Sequence, residues 1–268
     1  KKNTINKITK VIAGQTEAVT DMMENMYGAM TNGNTFRAKS IKAAEASKVI
    51  ENAQRDLNIA FINEAAIIFS QTGLSIYDVL EAARTKWNFL DFKPGLVGGH
   101  CIGVDPYYLA HFAEEVGLEA DLILTARRTN DAMAGFIASD IAKNLKHGSQ
   151  VLVLSLTFKE DVPDLRNSRV IDLIRALKEK GLHVDVYDPV ADSGEVHEEY
   201  GIRLMKNLSC KGKEEKFDAI IGAVAHKAFK ALNPADMEPL IQKNGLVGDI
   251  KGIWRNLEFS DGIRRWFL

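Results

Sequence analysis

Short apolar runs and one helical stripe alternate over the first forty residues. Residues 7–14 hold a brief apolar run that ends at a glycine, and they predict a strand or extended piece. Residues 15–30 carry valine and methionine on one side of a helical pattern, so we predict a helix there. After a Gly-Asn break, residues 35–38 predict another short strand.

An unbroken helical pattern follows Ser40, a plausible N-cap. It contains no glycine or proline before Gly73 and is rich in alanine, which favours helix strongly. A helix of about 30 residues would be about 45 Å long. Such a long helix, rich in small residues, predicts a spine that spans a domain or forms a dimer.

The periodicity fails after a second predicted helix at residues 75–84. Residues 87–106 form a glycine- and proline-rich loop, and loops of this length are usually functional. Helices are predicted again at residues 107–116 and 121–145.

The period changes once more from residue 150 onward. Strands are predicted at residues 150–158, 183–189, 202–205, 217–226 and, as the final strand, 246–252. Helices are predicted at residues 168–181, 195–201 and 237–245. Alternating strands and helices predict a parallel, doubly wound sheet. The fold class is therefore α/β: a helical domain with one long helix, then a Rossmann-like parallel-sheet domain that begins near His147.

Composition narrows the class of protein. Apolar residues make up 46% and charged residues 26%, which is typical of a soluble globular protein, and the net charge of -2 argues against a nucleic-acid binder. The two cysteines exclude a disulfide scaffold and a four-cysteine zinc site. They favour a reducing, cytoplasmic location. We expect no membrane partner, because no apolar run approaches the ~20 residues that span a bilayer.

Cys101 stands in a loop, PGLVGGHCIGVDPYYL, whose composition suits chemistry. Gly98 and Gly99 precede it, so backbone can approach a ligand there without side-chain obstruction. Asp105 follows four residues later. A nucleophilic thiolate is one interpretation, and an inert small hydrophobic residue is the alternative. Cys210, in a charged loop, is interpreted as incidental.

A metal site at His100, Cys101 and Asp105 is a weaker alternative. Adjacent residues rarely point at one ion, and no second His or Cys pair is spaced to complete the coordination. We therefore predict no metal.

Three motifs carry a family resemblance. GGHCIGVDP, AEASKVIENAQRDLNIAFINE and TFKEDVPDLRNSRVIDLI closely resemble segments of the UDP-glucose/GDP-mannose dehydrogenases. The run KWNFLDFKPGLVGGHCIGVDPYYL looks most like the branch that oxidises UDP-N-acetylhexosamines. The resemblance implies a remnant of the NAD-binding domain at 1–38, a central helical dimerisation domain with the catalytic loop at 39–147, and a UDP-binding Rossmann-like domain at 148–268.

The resemblance also implies NAD as the cofactor. No GxGxxG fingerprint occurs in the sequence, so we expect the chain by itself to be an inactive fragment. The expected partners are a UDP-sugar substrate and a second copy bound through the long helix.

The resemblance assigns catalytic roles residue by residue. Cys101 matches the nucleophile, Lys48 and Asn52 match the donors that stabilise an oxyanion, and Asp105 matches the residue that activates water. Lys48 and Asn52 are four residues apart, hence neighbours on one helix face. The alternative for this pair is an ordinary solvated face.

Further positions match substrate or cofactor contacts of the family. The substrate-binding set is Phe89, Leu90, Lys93, Gly98, Gly99, Phe158 and Lys159. Arg166 matches a residue on the NAD side, although Lys159 and Arg166 could equally form surface ion pairs with Asp161 or Asp164.

Four further positions qualify this picture. Val104 stands where UDP-glucose enzymes carry lysine, which favours the acetamido-sugar branch, whereas Ser155 replaces a glycine. Asp188 ends the second strand, where a ribose-binding acid would stand, but the glycines that accompany such an acid are lacking. Arg84 matches the cross-subunit arginine only to within a residue or two.

The leading hypothesis is a two-step oxidation of the C6 hydroxyl of a UDP-N-acetylhexosamine to a carboxylate. It would proceed through a thiohemiacetal and a thioester on Cys101, for surface-polysaccharide precursors. A non-catalytic module for dimerisation and UDP-sugar binding is the alternative. A 6-phosphogluconate-like dehydrogenase shares the layout but has no need for Cys101.

Overall fold

The computed structural model describes residues 4–208 and 216–268, so Cys210 lies outside the described residues. Its contacts divide the chain into two compact units, residues 1–54 and 55–268. The division falls inside the longest helix. The domain limits near residues 38 and 147 stay predictions. Within the described ranges, no helix is both long enough and apolar enough to cross a membrane.

The first unit contains one β–α–β element. Strand β1 (Lys10–Ile12) and strand β2 (Thr35–Arg37) pair in parallel, and helix α1 (Glu17–Thr31) connects them. The Thr16 hydroxyl caps α1, and Asn32 ends it in the left-handed conformation with φ of 53°. These elements confirm the strand, helix and strand predicted at this end of the chain.

Helix α2 (Ile41–Ser70) is the predicted long helix, with 30 residues. Its start is capped as expected, because the Ser40 hydroxyl accepts a hydrogen bond of 3.1 Å from the Ala43 N–H. Three further helices follow, and they confirm the predicted ones: α3 (Ile76–Ala83), α4 (Asp105–Glu115) and α5 (Asp121–Ala142).

A five-stranded sheet forms the second half of the second unit. Its strands are β3 (Gln150–Leu154), β4 (His183–Tyr187), β5 (Phe217–Gly222), β6 (Ile241–Asp249) and β7 (Arg264–Phe267). All neighbours pair in parallel, in the order β4-β3-β5-β6-β7. This confirms the doubly wound sheet and sets its switch point between β3 and β5, where ligands of such sheets bind.

Helices cover both faces of this sheet. They are α6 (Arg169–Glu179), α7 (Ser193–Tyr200), α8 (Lys227–Lys230) and α9 (Pro234–Met237), the last followed by a short 3-10 helix, Glu238–Leu240. The larger core joins one face of the sheet to α3, α5 and α6, with Ile137, Ile141 and Leu173 fully buried. The smaller core packs Phe229 and Trp254 on the other face.

Two predicted elements near the carboxyl end were wrong, and one strand was not predicted; the strand predicted at 246–252 is confirmed by β6 but is not the last one. The helix predicted over 237–245 ends by Leu240, and strand β6 takes over at Ile241, which is buried and pairs with Phe217. Burial in the sheet therefore decided the conformation of these residues, although their sequence pattern is helical. Residues 202–205 make only one bridge, between Val186 and Leu204. The final strand is β7, whose Arg-rich start hides its period.

Ser155 adopts a backbone conformation that favours glycine. Its φ is 91°, in the left-handed half of the map, and the residue is fully buried just after β3. Its hydroxyl donates to Asp188 Oδ2 at 3.0 Å and lies 2.8 Å from His226 Nε2. Ser155 therefore carries backbone strain and makes two buried polar contacts.

Replacing Ser155 separates these two effects. Ser155→Ala should lower the free energy of unfolding by about 2 kcal/mol, because it leaves buried partners unsatisfied and keeps the strain. Ser155→Gly should cost about 1 kcal/mol less than Ser155→Ala, because glycine relieves the strain. Urea unfolding followed by tryptophan fluorescence measures both. A glycine variant no more stable than the alanine variant would contradict the strain.

Candidate active site

The predicted catalytic loop connects α3 to α4 without helix or strand, and its middle is tied to buried side chains. Asn63 donates from Nδ2 to Gly95 O at 3.0 Å and accepts from Gly95 N–H at 2.7 Å. Lys251 Nζ donates to Pro94 O at 3.3 Å. A β-carbon at Gly95 would lie 2.5 Å from that amine, so the glycine is needed for this contact. The loop is thus fixed at Gly95, ahead of Cys101.

A buried polar chain stands behind Asn63. Asn63 Nδ2 donates to Asn130 Oδ1 at 2.9 Å, and Asn130 Nδ2 donates to Asp56 Oδ1 at 2.7 Å. The Asp56 carboxylate also pairs with Arg127, which is fully buried. Burial opposes the charge of Arg127, but the Asp56 and Asp131 carboxylates outweigh it and raise the pKa of the guanidinium. The cation is therefore kept inside the protein.

The glycines before Cys101 pack on the turn after β3. Gly99 N–H donates to Asn167 O, and Asn167 Nδ2 donates to Gly99 O, both at 3.1 Å. A β-carbon would lie 2.5 Å from Asn167 O at Gly98, and 2.7 Å from the Phe158 ring at Gly99. Protein atoms therefore occupy the sides that these glycines leave open. Their contact with substrate stays a prediction.

Cys101 and Asp105 are brought together at the start of α4. Cys101 O accepts from Asp105 N–H at 2.8 Å and from Val104 N–H at 3.0 Å, which closes one tight turn. Both Cys101 and Asp105 are half-buried, and Pro106 suits the first turn of the helix. A thiol and a carboxylate thus lie one turn apart at the positions that sequence predicts for nucleophile and water activation.

Arg166 forms the ion pair that the sequence left as an alternative. Its Nε and Nη2 bind the two oxygens of Asp164 at 2.9 and 2.6 Å. Hydrogen bonding to Asp164 is the main cause of the raised pKa of Arg166, and the charge of Cys101 makes the smallest contribution to that shift. Cys101 therefore lies within electrostatic range of this cation. The NAD contact of Arg166 stays a prediction.

A cavity of about 350 Å³ opens beside the loop, and among the charged side chains that line it the cations outnumber the carboxylates. The charged residues that line it are Arg55, Lys93, Lys230, Lys251, Asp91 and Glu160. Burial lowers the pKa of Lys251, while Glu160 opposes that shift. Since Lys93 was predicted to bind substrate, the cavity brings one predicted residue together with cations that the sequence did not single out.

The other predicted substrate residues differ in exposure. Phe89 is half-buried and packs against the larger core, whereas Leu90 is 59% exposed. Phe158 is half-buried and Lys159 exposed on the turn after β3.

Lys48 and Asn52 belong to the first unit. The Lys48 ammonium pairs with Glu51 at 3.0 Å on an exposed face of α2, as the solvated alternative predicts. Asn52 is only 1% exposed, which that alternative does not predict. Their role as oxyanion donors stays a prediction.

The metal alternative at His100, Cys101 and Asp105 finds no geometric support. Throughout residues 4–208 and 216–268, no three His, Cys, Asp or Glu side chains are arranged to hold an ion.

Sequence reasoning missed the residues that fix the site. Asn63 and Asn167 sit in ordinary helical and turn contexts, and nothing in the sequence marks them. Lys251 had a signal, because it follows β6 directly, and ligands of open parallel sheets bind at the carboxyl ends of strands.

Two family descriptions match consecutive parts of the chain. The central domain of the UDP-glucose/GDP-mannose dehydrogenase family matches residues 42–132, and the UDP-binding domain of the same family matches residues 152–256. The chain belongs to the UDP-glucose/GDP-mannose dehydrogenase family.

Relatives and solved structures of this family agree with the assignment. Protein CapL of Staphylococcus aureus is 47% identical over all of this chain and 63% of its own length. UDP-N-acetyl-D-glucosamine 6-dehydrogenase of Pseudomonas aeruginosa is 44% identical over 94% of the chain and 60% of its own length. The chain thus spans about three fifths of these relatives.

Solved structures of the family share the fold. UDP-D-ManNAc dehydrogenase of Pyrococcus horikoshii superimposes with a TM-score of 0.80 at 26% identity, covering 97% of the chain and 60% of that structure. UDP-N-acetyl-mannosamine dehydrogenase Cap5O of Staphylococcus aureus gives 0.79 at 27% identity, with coverage of 98% and 60%.

NAD is the cofactor that this family implies, and the last domain does not fit a dinucleotide. Asp188 Oδ2 accepts from Leu156 N–H at 2.7 Å and Thr157 N–H at 3.1 Å. Its Oδ1 accepts from the amides of Val190 and Ala191. An internal carboxylate therefore holds the amides of the first strand-to-helix turn, where a glycine-rich loop would bind pyrophosphate. Asp188 is structural, not a ribose ligand.

Asp188→Asn should show how this carboxylate contributes to stability. Burial opposes ionisation, but the neighbouring His226 and the backbone N–H groups outweigh it and hold the pKa of Asp188 well below its usual value. A depressed pKa stabilises the fold above the unfolded carboxyl pKa of about 4 and loses that effect at lower pH. The variant should lose about 3 kcal/mol at neutral pH. The difference from wild type should shrink below pH ~4.

Urea unfolding at several pH values measures this difference. Asp192→Asn is the matched control, because Asp192 caps α7 and asparagine caps helices equally well. A constant difference at all pH values would contradict the ionised state of Asp188.

Proposed function

We propose that the chain forms the sugar-oxidising part of an NAD-dependent UDP-N-acetylhexosamine 6-dehydrogenase that makes surface-polysaccharide precursors. One observation carries the proposal: Cys101 lies half-buried one turn from Asp105 at the start of α4, in a chain of the UDP-sugar dehydrogenase family. A thiol and a carboxylate at that spacing suit covalent capture of an aldehyde followed by hydrolysis.

The substrate class is supported by relatives of known name. UDP-N-acetyl-D-glucosamine 6-dehydrogenases of Pseudomonas aeruginosa and Salmonella typhi are 44% and 43% identical to the chain. Val104 agrees, since the UDP-glucose enzymes that the chain resembles carry a lysine there. An N-acetylated hexose is therefore the sugar we propose.

Oxidation of a primary alcohol to a carboxylate removes two hydrides, and a covalent bond to the Cys101 sulfur separates their removal into two steps. After the first hydride leaves C6 and the hydroxyl proton passes to solvent, the Cys101 thiolate adds to the aldehyde carbon and the carbonyl oxygen becomes an oxyanion. Lys48 and Asn52 are the proposed donors to that oxyanion. The thiohemiacetal then loses the second hydride and becomes a thioester.

Hydrolysis of the thioester completes the reaction. Asp105 accepts a proton from water as the water oxygen attacks the acyl carbon. The C–S bond breaks, so the carboxylate leaves and the thiol is restored. Both hydrides require an acceptor such as NAD.

The nucleotide end of the substrate suits the cationic cavity. A diphosphate carries negative charge, and Lys93, Lys230 and Lys251 face a cavity in which cations outnumber carboxylates. Lys159, exposed on the turn after β3, is the proposed contact to the pyrophosphate. Ligands of open parallel sheets bind at this edge.

A second copy of the chain is the proposed partner, bound through α2. Phe61 is 69% and Ile68 55% exposed on the same face of that helix, seven residues apart. Burial of two large apolar side chains in each copy favours association.

Cys101→Ser tests the covalent step. In the full-length gene product, wild type should form NADH and uronic acid from UDP-GlcNAc or UDP-GalNAc. The serine variant should lose acid release by about 10³-fold or more, because an alcohol is a far poorer nucleophile than a thiolate. Spectrophotometry measures NADH and mass spectrometry measures the acid.

Two results would contradict the proposal. Undiminished acid release by Cys101→Ser would exclude a covalent intermediate. NADH formation by these 268 residues alone would show that a dinucleotide site was overlooked.

Phe61→Glu tests the proposed dimer. A buried, unpaired carboxylate in an apolar interface is costly, so the variant should sediment as a monomer at concentrations where wild type is a dimer. Lys178→Glu, on an exposed part of α6, controls for the added negative charge. A Phe61→Glu chain that remains dimeric would exclude this face of α2.

A further inference from the structure

His226 is a buried imidazole at the switch point of the sheet that the proposed chemistry does not use. It follows β5, directly before α8, and is 0% exposed. The Phe229 ring packs edge-on against it, with centroids 5.5 Å apart. A residue so placed lies between the carboxyl ends of β3 and β5, next to the turn that carries Lys159.

The hydrogen bonds of His226 fix its tautomer. Asp161 N–H donates to Nδ1 at 2.8 Å, so Nδ1 has no hydrogen and Nε2 carries it. Nε2 lies 2.8 Å from Ser155 Oγ and 3.0 Å from Thr157 Oγ1, and the Ser155 hydroxyl donates to Asp188. The Nδ1 side of the ring thus binds the end of the turn 155–161 at Asp161, and the Nε2 side contacts its beginning at Ser155 and Thr157.

Residues on both sides of Lys159 are anchored, while its own side chain is not. Thr157 Oγ1 donates to Lys159 O at 3.3 Å, and Glu160 pairs with Lys230 at 2.6 Å. Across residues 4–208 and 216–268, the Lys159 ammonium has neither hydrogen bond nor ion pair. The backbone is thus set in advance and the cation is left for a ligand.

We propose that His226 is a positioning residue, which holds the turn 155–161 so that Lys159 meets the pyrophosphate of the substrate. The proposal rests on the proposed function, in which Lys159 contacts that pyrophosphate. A turn that is already ordered in the free protein loses no conformational freedom when the nucleotide binds. His226 can therefore raise the affinity without touching the nucleotide itself. Loss of the Nδ1 contact should therefore weaken nucleotide binding.

Two matched variants separate positioning from packing. An asparagine amide reaches the place of Nδ1, and a glutamine amide reaches the place of Nε2. His226→Asn keeps an acceptor for Asp161 N–H, whereas His226→Gln loses it. Calorimetric titration of the chain with UDP should give affinity within about threefold of wild type for Asn and about tenfold weaker for Gln. Equal losses in both would overturn the proposal, because a merely structural ring is lost in each.

Lys159→Ala distinguishes failure of the proposed function from failure of the role proposed for His226. Alone it should weaken UDP binding at least tenfold, and His226→Gln added to it should weaken binding no further, because the turn has no cation left to position. Unchanged affinity in Lys159→Ala, or no UDP binding by wild type, would overturn the proposed function and this inference together. A loss in Lys159→Ala with equal Asn and Gln variants would overturn His226 alone.

Asp161→Gly provides a second test of the proposal, in the same turn, if His226→Gln does not fold. Asp161 has φ of 56°, which glycine adopts freely, and its Oδ1 accepts from Lys227 N–H at 3.0 Å. The variant loses the Lys227 contact without new strain, but it keeps the backbone N–H that His226 Nδ1 accepts, so UDP affinity should stay within about threefold of wild type. A loss in Asp161→Gly as large as that in Lys159→Ala would show that the Lys227 contact, and not His226, holds the turn, and would overturn the proposal.

Discussion

The ion pair between Asp56 and Arg127 is the interaction on which the second unit depends. Both side chains are buried, so each charge needs the other, and removal of one partner from such a pair costs about 3–5 kcal/mol. From Asp56 the hydrogen bonds run through Asn130 and Asn63 to the backbone of Gly95. The fully buried pair thus helps to fix the path of the loop that carries Cys101.

The same arginine also reaches toward the sheet domain. Arg127 pairs with Asp131, and Arg169 at the start of α6 pairs with that carboxylate at 2.6 Å. The Tyr107 hydroxyl of α4 donates to its other oxygen. Helices α4, α5 and α6 therefore share one carboxylate, and the helix that begins beside Cys101 is held by it.

Periodicity predicted most of the fold because most elements have one apolar face. Helix α2 was predicted from its alanine content and its lack of glycine and proline, and strand β3 from a continuous apolar run. Residues 237–245, in contrast, combine a helical pattern with a place beside β5, and burial in the sheet decided their conformation. In the site, the motif around Cys101 identified the loop. Asn63, Lys251 and His226 act through long-range contacts, which a local pattern does not encode.

The reciprocal hydrogen bonds between Gly99 and Asn167 make the cysteine loop and the turn after β3 a single piece. A loop taken from a relative would clash or separate unless the facing turn, with Phe158, came with it. Transplanting the cysteine loop between members of the family therefore requires the facing turn to be transplanted with it. The two are expected to change in concert over evolution, although 68 residues separate Gly99 from Asn167 in the chain.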